Sequence, residues 1–243
     1  DYLVNLKAEI EIRLLHEKID HMLLQQLERS LERQRVITES LQQGQDDLQR
    51  ALTPNDPRYS QQWGYFNATG GIRADQAWDV ATGSGVVVAV LDTGSTSHSD
   101  LNANTIAGYD MISDATVGGD GNGRDSNPAS SWHGTHVAGT VAALTNNNNG
   151  VAGTAFNAKV SHVRVLGRCG GYTSDIADGI VWASGGTVSG VPANQNPAEV
   201  INLSLGGSGS CGSATQNAIN GAVSRGSVVV IAAGNDNVNV SNA

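Results

Sequence analysis

The sequence predicts an α/β fold: a doubly wound parallel sheet with helices on both faces, preceded by a long N-terminal α-helix. Three observations carry this. Residues 3 to 43 contain neither Pro nor Gly. Beyond residue 53 there are runs that are apolar throughout. Patterns of helical period lie between consecutive runs. Strands that are apolar on both sides and separated by helices pair in parallel, because each crossover helix covers one face of the sheet.

The N-terminal stretch is dense in Leu, Ile, Glu, Gln and Arg, all strong helix formers. Ile12, Leu15, Ile19 and Met22, then Leu24, Leu27 and Leu31, recur at spacings of three and four, and Glu9/Arg13 and Arg35/Glu39 can pair one turn apart. No heptad persists, so a helix that makes a contact through residues 3–43 is expected rather than a regular coiled coil. His16 and His21 stand alone among charges and are expected at the surface. From Thr53 the texture changes, with Pro54-Asn55-Asp56-Pro57 and Gly70-Gly71 breaking regular structure. Composition thus divides the chain into a helical segment at 1–44, a linker at 45–58 and an α/β portion at 59–243.

Charge and size exclude some functions. Acidic residues outnumber basic ones 23 to 14 and the pI is about 4.9, so the basic footprint that nucleic acid requires is missing. No apolar run has the length of a membrane span, and Asp1-Tyr2-Leu3 does not begin a signal peptide, so any export signal is expected outside these residues. Thirty glycines and only 15% charged residues suit tight packing and a secreted protein. Cys169 and Cys211 set no disulfide framework.

Strands are expected at 85–91, 159–166, 199–205 and 227–233, with helices at 133–144, 174–184 and 212–224; the stretch between Asp92 and the first of these helices reads as a long polar loop. In parallel sheets the ligand site lies beyond the carboxyl ends of the strands. The unusual polar residues fall there: Asp92 after the first strand, Gly206-Gly207 after the third and Gly234-Asn235 after the fourth. An aspartate leaving an apolar strand needs a partner to stay charged. His133, at the start of the next helix, can supply one. A carboxylate that holds one imidazole nitrogen fixes the tautomer and leaves the other nitrogen to take a proton from a nucleophile. Asn235 can present a side-chain N–H to a developing oxyanion.

Val90-Leu91-Asp92-Thr93-Gly94, His133-Gly134-Thr135-His136-Val137-Ala138-Gly139-Thr140, Asn202-Leu203-Ser204-Leu205-Gly206 and Ala232-Ala233-Gly234-Asn235 together resemble the subtilisin-like serine peptidases. Residues 53–63 are similar to the start of the mature domain in secreted bacterial members. The resemblance implies a subtilisin-like sheet, Asp92 and His133 as members of an Asp/His/Ser triad, and Asn235 as the oxyanion donor. It implies an extended polypeptide substrate paired between Gly170-Gly171-Tyr172 and Ser204-Leu205-Gly206, with Ala232, Ala233 and Gly234 walling the pocket for the side chain before the scissile bond. It also implies an extracellular location. The family's nucleophile lies in Gly-Thr-Ser-Met-Ala, and no serine of these residues has that context. The catalytic domain is therefore expected to be incomplete and this chain inactive by itself, with exposed apolar surface where covering elements lie past Ala243. The alternative is an inactive truncated or fused protein that binds peptides or partners. A Cys169–Cys211 bridge is supported by neither spacing nor family. Separately, residues 5–20 resemble the helical tail of a bacterial membrane-protein family of unknown function.

Two other chemistries fit the motifs less well. Asp-Thr-Gly-Ser also marks aspartic peptidases, which need a second such motif in a mostly β fold; neither feature is present. His133 and His136 form a His-x-x-His pair, but no third ligand is spaced for zinc. His136, His98 and His162 are expected to be structural, His136 facing the sheet. Asp100 with Asn146 and Asn148 matches a place where the family often holds a structural calcium, an ion that takes oxygen ligands. Asp110, Asp114, Asp120 and Asp125 read as a solvated loop, with a second, weaker ion site as the alternative.

Overall fold

The computed structural model describes residues 2–51, 53–207 and 211–235. It divides into two units, Asp1–Thr53 and Pro54–Ala243.

The first unit is a single helix, α1 (Tyr2–Ala51). It runs past Gly44, beyond the boundary that composition set at 44, into residues expected to be linker. A lone glycine costs about 1 kcal/mol relative to alanine, which a run of good helix formers on its amino-terminal side can outweigh. Considered by itself, α1 exposes Leu15, Met22, Leu24, Leu27 and Leu31.

The second unit contains α2 (Trp63–Phe66), α3 (Ala74–Ala77), β1 (Val87–Asp92), β2 (Thr105–Asp110), α4 (Ala115–Gly118), α5 (Trp132–Ala142), β3 (Lys159–Arg164), α6 (Thr173–Ala183), β4 (Val200–Leu203), α7 (Ser213–Ser224) and β5 (Val228–Ile231). The five strands form one parallel sheet in the order β2-β3-β1-β4-β5. The chain winds outward from β1 in one direction, returns, and winds out in the other, which is the doubly wound pattern.

Strand alternation divides the core between the two faces. Val88, Val90 and Val160 pack with Ala138 and Ala142 of α5 on one face; Ala89, Leu91 and Val163 pack with Ile180 of α6 and Ala222 of α7 on the other. The expected strands and helices are all present, and β2 is an addition. Its residues lie in the stretch read as a polar loop, because Thr105-Ile106-Ala107-Gly108 is neither uniformly apolar nor alternating. Its register against β3 shifts between Ile106 and Tyr109, and a Cβ at Gly108 would collide with the His162 carbonyl oxygen. That glycine lets the edge strand close onto β3. At the other edge, Val228, Val230 and Ile231 of β5 are exposed. Among the described residues no helix is long and apolar enough to cross a membrane.

Candidate active site

The sheet order decides where the site forms. β1 lies between β3 and β4, so its carboxyl end is flanked by the segments leaving those two strands. Asp92 is the last residue of β1 and is fully buried. Its Oδ1 accepts the Thr93 N–H at 2.6 Å and lies 2.6 Å from His133 Nδ1. An ionised carboxylate only accepts, so Nδ1 carries the proton and Nε2 presents its lone pair. The His133 side chain is 48% exposed. The result is a base held from the protein side and open on the other.

The start of α5 is pinned so that this contact forms. The Gly134 N–H donates to Thr93 Oγ1 at 3.0 Å, and the Thr96 N–H donates to Thr135 Oγ1 at 2.7 Å. A Cβ at Gly134 would collide with the Gly94 carbonyl oxygen, so only glycine lets the helix meet the end of β1 this closely. Gly94 itself has φ +87° and lies against the Pro128 carbonyl, a conformation and a fit that a side chain would oppose.

The remaining predicted residues fall along the same carboxyl edge. Gly170 and Gly171 follow β3; Gly170 has φ +104°, and a Cβ at Gly171 would run into the Val165 carbonyl oxygen. Tyr172 leads into α6, and its hydroxyl reaches Asp114 Oδ2 at 3.4 Å. Ser204, Leu205 and Gly206 follow β4; Ser204 Oγ accepts from Asn202 Nδ2 at 3.0 Å, and Leu205 packs against the α6–α7 side of the core. The Ala232 N–H donates to the Leu203 carbonyl, extending the pairing of β5, and Ala233, Gly234 and Asn235 follow it with Asn235 exposed. The segments after β3 and β4 thus stand on either side of Asp92.

His136 departs from expectation: it is exposed, and with Trp132, Thr135, Thr96 and His98 it lines a groove of about 700 Å³ on the outer side of α5. His162 is buried, as expected of a structural histidine, and burial pushes its pKa down to about 4 against the opposing pull of Asp92. The acidic loop is also different from the expected solvated one. Asp110 ends β2 and is buried, with Oδ2 2.5 Å from Arg164 Nη1 and Oδ1 accepting the Ile112 N–H at 2.8 Å. Arg164 also reaches Asp120 and the Gly118 carbonyl. Asp114 caps α4, and Arg124 bridges Asp175 and Asp178 at 2.8 Å each. Arg164 is the residue that sequence reasoning missed. Its only signal was a cation inside the otherwise apolar run Val163-Arg164-Val165-Leu166.

At the expected calcium position, Asp100 is buried; its Oδ1 accepts from Asn147 Nδ2 at 2.7 Å and its Oδ2 from the Val151 N–H at 3.0 Å. Asn146 Oδ1 accepts the Asn55 N–H at 3.1 Å, and Asn146 and Asn148 both have positive φ. The donor chemistry, the buried carboxylates of Asp100 and Asp56 beside a run of amide oxygens, fits an oxygen-seeking ion, which here would replace hydrogen bonds of the loop. Among the described residues no three His, Cys, Asp or Glu side chains cluster as a metal site. Cys169 and Cys211 are free and exposed.

Comparison with known proteins identifies the family. Residues 83–243 match the family described as the subtilase family, Peptidase_S8. Over 213 residues the chain is 66% identical to an extracellular protease of Xanthomonas campestris pv. campestris, a match covering 80% of this chain and 37% of that protein. Thermitase of Thermoactinomyces vulgaris is 44% identical over 187 residues, covering 75% of this chain and 58% of that protein. Among solved structures, a protease of Pseudoalteromonas arctica superposes with a TM-score of 0.77 at 65% identity, covering 78% of this chain and 61% of that one. The chain spans about a third of the length of the Xanthomonas relative. With the Asp92–His133 pair at the carboxyl edge of a parallel sheet and the family matched over residues 83–243, the chain belongs to the subtilase family of serine proteases.

Proposed function

We propose that this chain carries the acid–base half of an extracellular serine endopeptidase. The observation that carries the reading is the 2.6 Å contact between buried Asp92 and half-exposed His133. In peptide-bond hydrolysis, His133 Nε2 takes the proton of a serine hydroxyl as it attacks the carbonyl carbon, then delivers it to the leaving amine. Asp92 keeps Nδ1 protonated and offsets the charge on the imidazolium. Asn235 donates to the oxyanion of the tetrahedral intermediate. An extended polypeptide lies between Gly170–Tyr172 and Ser204–Gly206, with Ala232–Gly234 beside the side chain that precedes the scissile bond. In this reading the nucleophile lies outside residues 1–243, so these residues alone do not hydrolyse peptides.

The test is incubation with a serine-reactive fluorophosphonate. No labelling of residues 1–243 is expected, together with hydrolysis of an unstructured peptide by the domain that includes the nucleophile. Labelling of the 243-residue chain that disappears in His133→Ala overturns the assignment of the serine to a segment outside it. The rival function, binding of a partner without catalysis, draws on the exposed apolar side chains of α1 and predicts no hydrolysis by any version of the domain.

A structural calcium held by Asp100, Asn146 and Asn148 belongs to the same proposal. Its contribution would be to the stability of the loop rather than to any proton transfer. Millimolar calcium should raise the unfolding midpoint of the chain and leave that of Asp100→Asn unchanged. Equal midpoints with and without calcium in both proteins would mean that the loop is closed by its hydrogen bonds alone.

A further inference from the structure

Among the described residues, every buried side-chain polar atom without a hydrogen-bond partner belongs to one of three residues: Asp92 (Oδ2), His162 (Nδ1 and Nε2) and Arg164 (Nε). They are neighbours by register. In the parallel pair β1·β3, Val90 stands opposite His162 and Asp92 opposite Arg164. Strand alternation puts the side chains of 92, 162 and 164 on one face, the face that carries Val88, Val90 and Val160 against α5. All three residues are buried, and His162 is near enough to Asp92 for the carboxylate charge to act on its ring. The proposed proton transfers make no use of His162.

The orphaned atoms are chemically complementary. Asp92 Oδ2 only accepts, Arg164 Nε–H only donates, and a neutral imidazole offers one N–H. Buried polar groups are rarely left unmatched, and a water enclosed by such groups typically makes about three hydrogen bonds. We propose that His162 is a positioning residue for Asp92: its ring N–H and Arg164 Nε–H hold a shared internal water that donates to Asp92 Oδ2. Asp92 is then held at both oxygens, Oδ1 by the Thr93 N–H and His133, and Oδ2 through the water. This resists rotation of the carboxylate and keeps Oδ1 aimed at His133 Nδ1. The remaining guanidinium contacts of Arg164, to Asp110, Asp120 and the Gly118 carbonyl, lead away from Asp92 and leave Nε for this role. Burial keeps the His162 ring neutral, the form in which it neither adds a cation beside Asp92 nor competes with His133 for its charge.

The inference rests on Asp92 and His133 being the catalytic pair, and its test reads their hydrogen bond directly. The full 243-residue chain with ¹⁵N-labelled histidine is followed by NMR through the His133 Nδ1–H resonance. In His162→Leu the exchange of that proton with solvent should accelerate about tenfold, the scale of one hydrogen bond. His162→Gln, which keeps an N–H, should restore the slow rate. An unchanged rate in a folded His162→Leu, or acceleration that Gln does not reverse, overturns the proposal. Should His162→Leu fail to fold, the native chain supplies the answer. A slowly exchanging His162 ring N–H showing cross-relaxation to a long-lived water is expected, and a ring N–H that exchanges as fast as those of His16 and His21 refutes it. Neither measurement uses hydrolysis, so an inactive complete domain would remove the protease reading while leaving this result standing.

Discussion

Two aspartates end the two strands that flank β3 in the sheet, Asp92 on β1 and Asp110 on β2, and both are buried. Asp110 has both oxygens committed, one to the Ile112 N–H and one to the Arg164 guanidinium. Asp92 commits Oδ1 to the Thr93 N–H and to a half-exposed imidazole and has Oδ2 directly bonded to nothing among the described residues. Arginine never gives up its proton in a protein, whereas histidine exchanges one near neutral pH. The partner, and not burial or position in the strand, therefore separates a carboxylate that holds loops together from one placed for the proposed chemistry.

The largest expected effect tests that separation. In the domain that includes the nucleophile, Asp92→Asn should lower kcat/KM for a peptide by about 10⁴-fold, because an amide cannot fix the His133 tautomer as the carboxylate does. Asp110→Asn should leave kcat/KM within about tenfold of the native value while lowering the unfolding midpoint. Comparable losses of activity in the two variants would erase the distinction.

Arg164 gives the next largest effect. Replacing it with Met leaves Asp110 buried beside no cation and strips Asp120 and the Gly118 carbonyl of a donor, a loss of about 3–5 kcal/mol by the usual cost of breaking a buried pair. Urea unfolding of the chain measures it. A loss below about 1 kcal/mol would show that the contact behaves like an exposed pair and that β2 is held by other means.

These two carboxylates were unequally legible in the sequence, for a physical reason. Asp92 follows an apolar run and precedes a helix that begins with His133, so its partner stands at a recognisable interval and the family likeness sharpens it. Asp110 follows Gly108-Tyr109 in an edge strand that is neither apolar throughout nor alternating, and its partner lies 54 residues further on. Hence β2 read as loop and its ion pair as solvated charge. The central strands were legible because both of their faces are covered, which forces continuous apolar runs. The end of α1 was not, because a single glycine among helix formers does not stop a helix. His136 looked structural from its place in a helix of small residues, but which face of α5 it occupies depends on how the helix sits against β1. That in turn is set by glycine contacts which no local pattern reveals.

The smallest effect follows from His162, the residue that links Asp92 to Arg164. Unfolded, its ring titrates near 6.5; folded, burial pushes it down to about 4. Between these values the unfolded chain takes up a proton that the folded chain refuses, so stability is fully present above pH 6.5 and is lost as pH falls toward 4. The full difference corresponds to about 3 kcal/mol. Carboxylates titrate near the lower end of the same window, so the native slope alone does not isolate the ring. The difference in unfolding free energy between the native chain and His162→Gln, measured at about pH 7, 5.5 and 4.5, does so because the carboxylates are common to both. That difference should move steadily against the native chain as the solution is acidified. A pH-independent difference would mean that the ring titrates alike in both states, and that the neighbour of Asp92 on β3 becomes charged as soon as the pH falls below about 6.5.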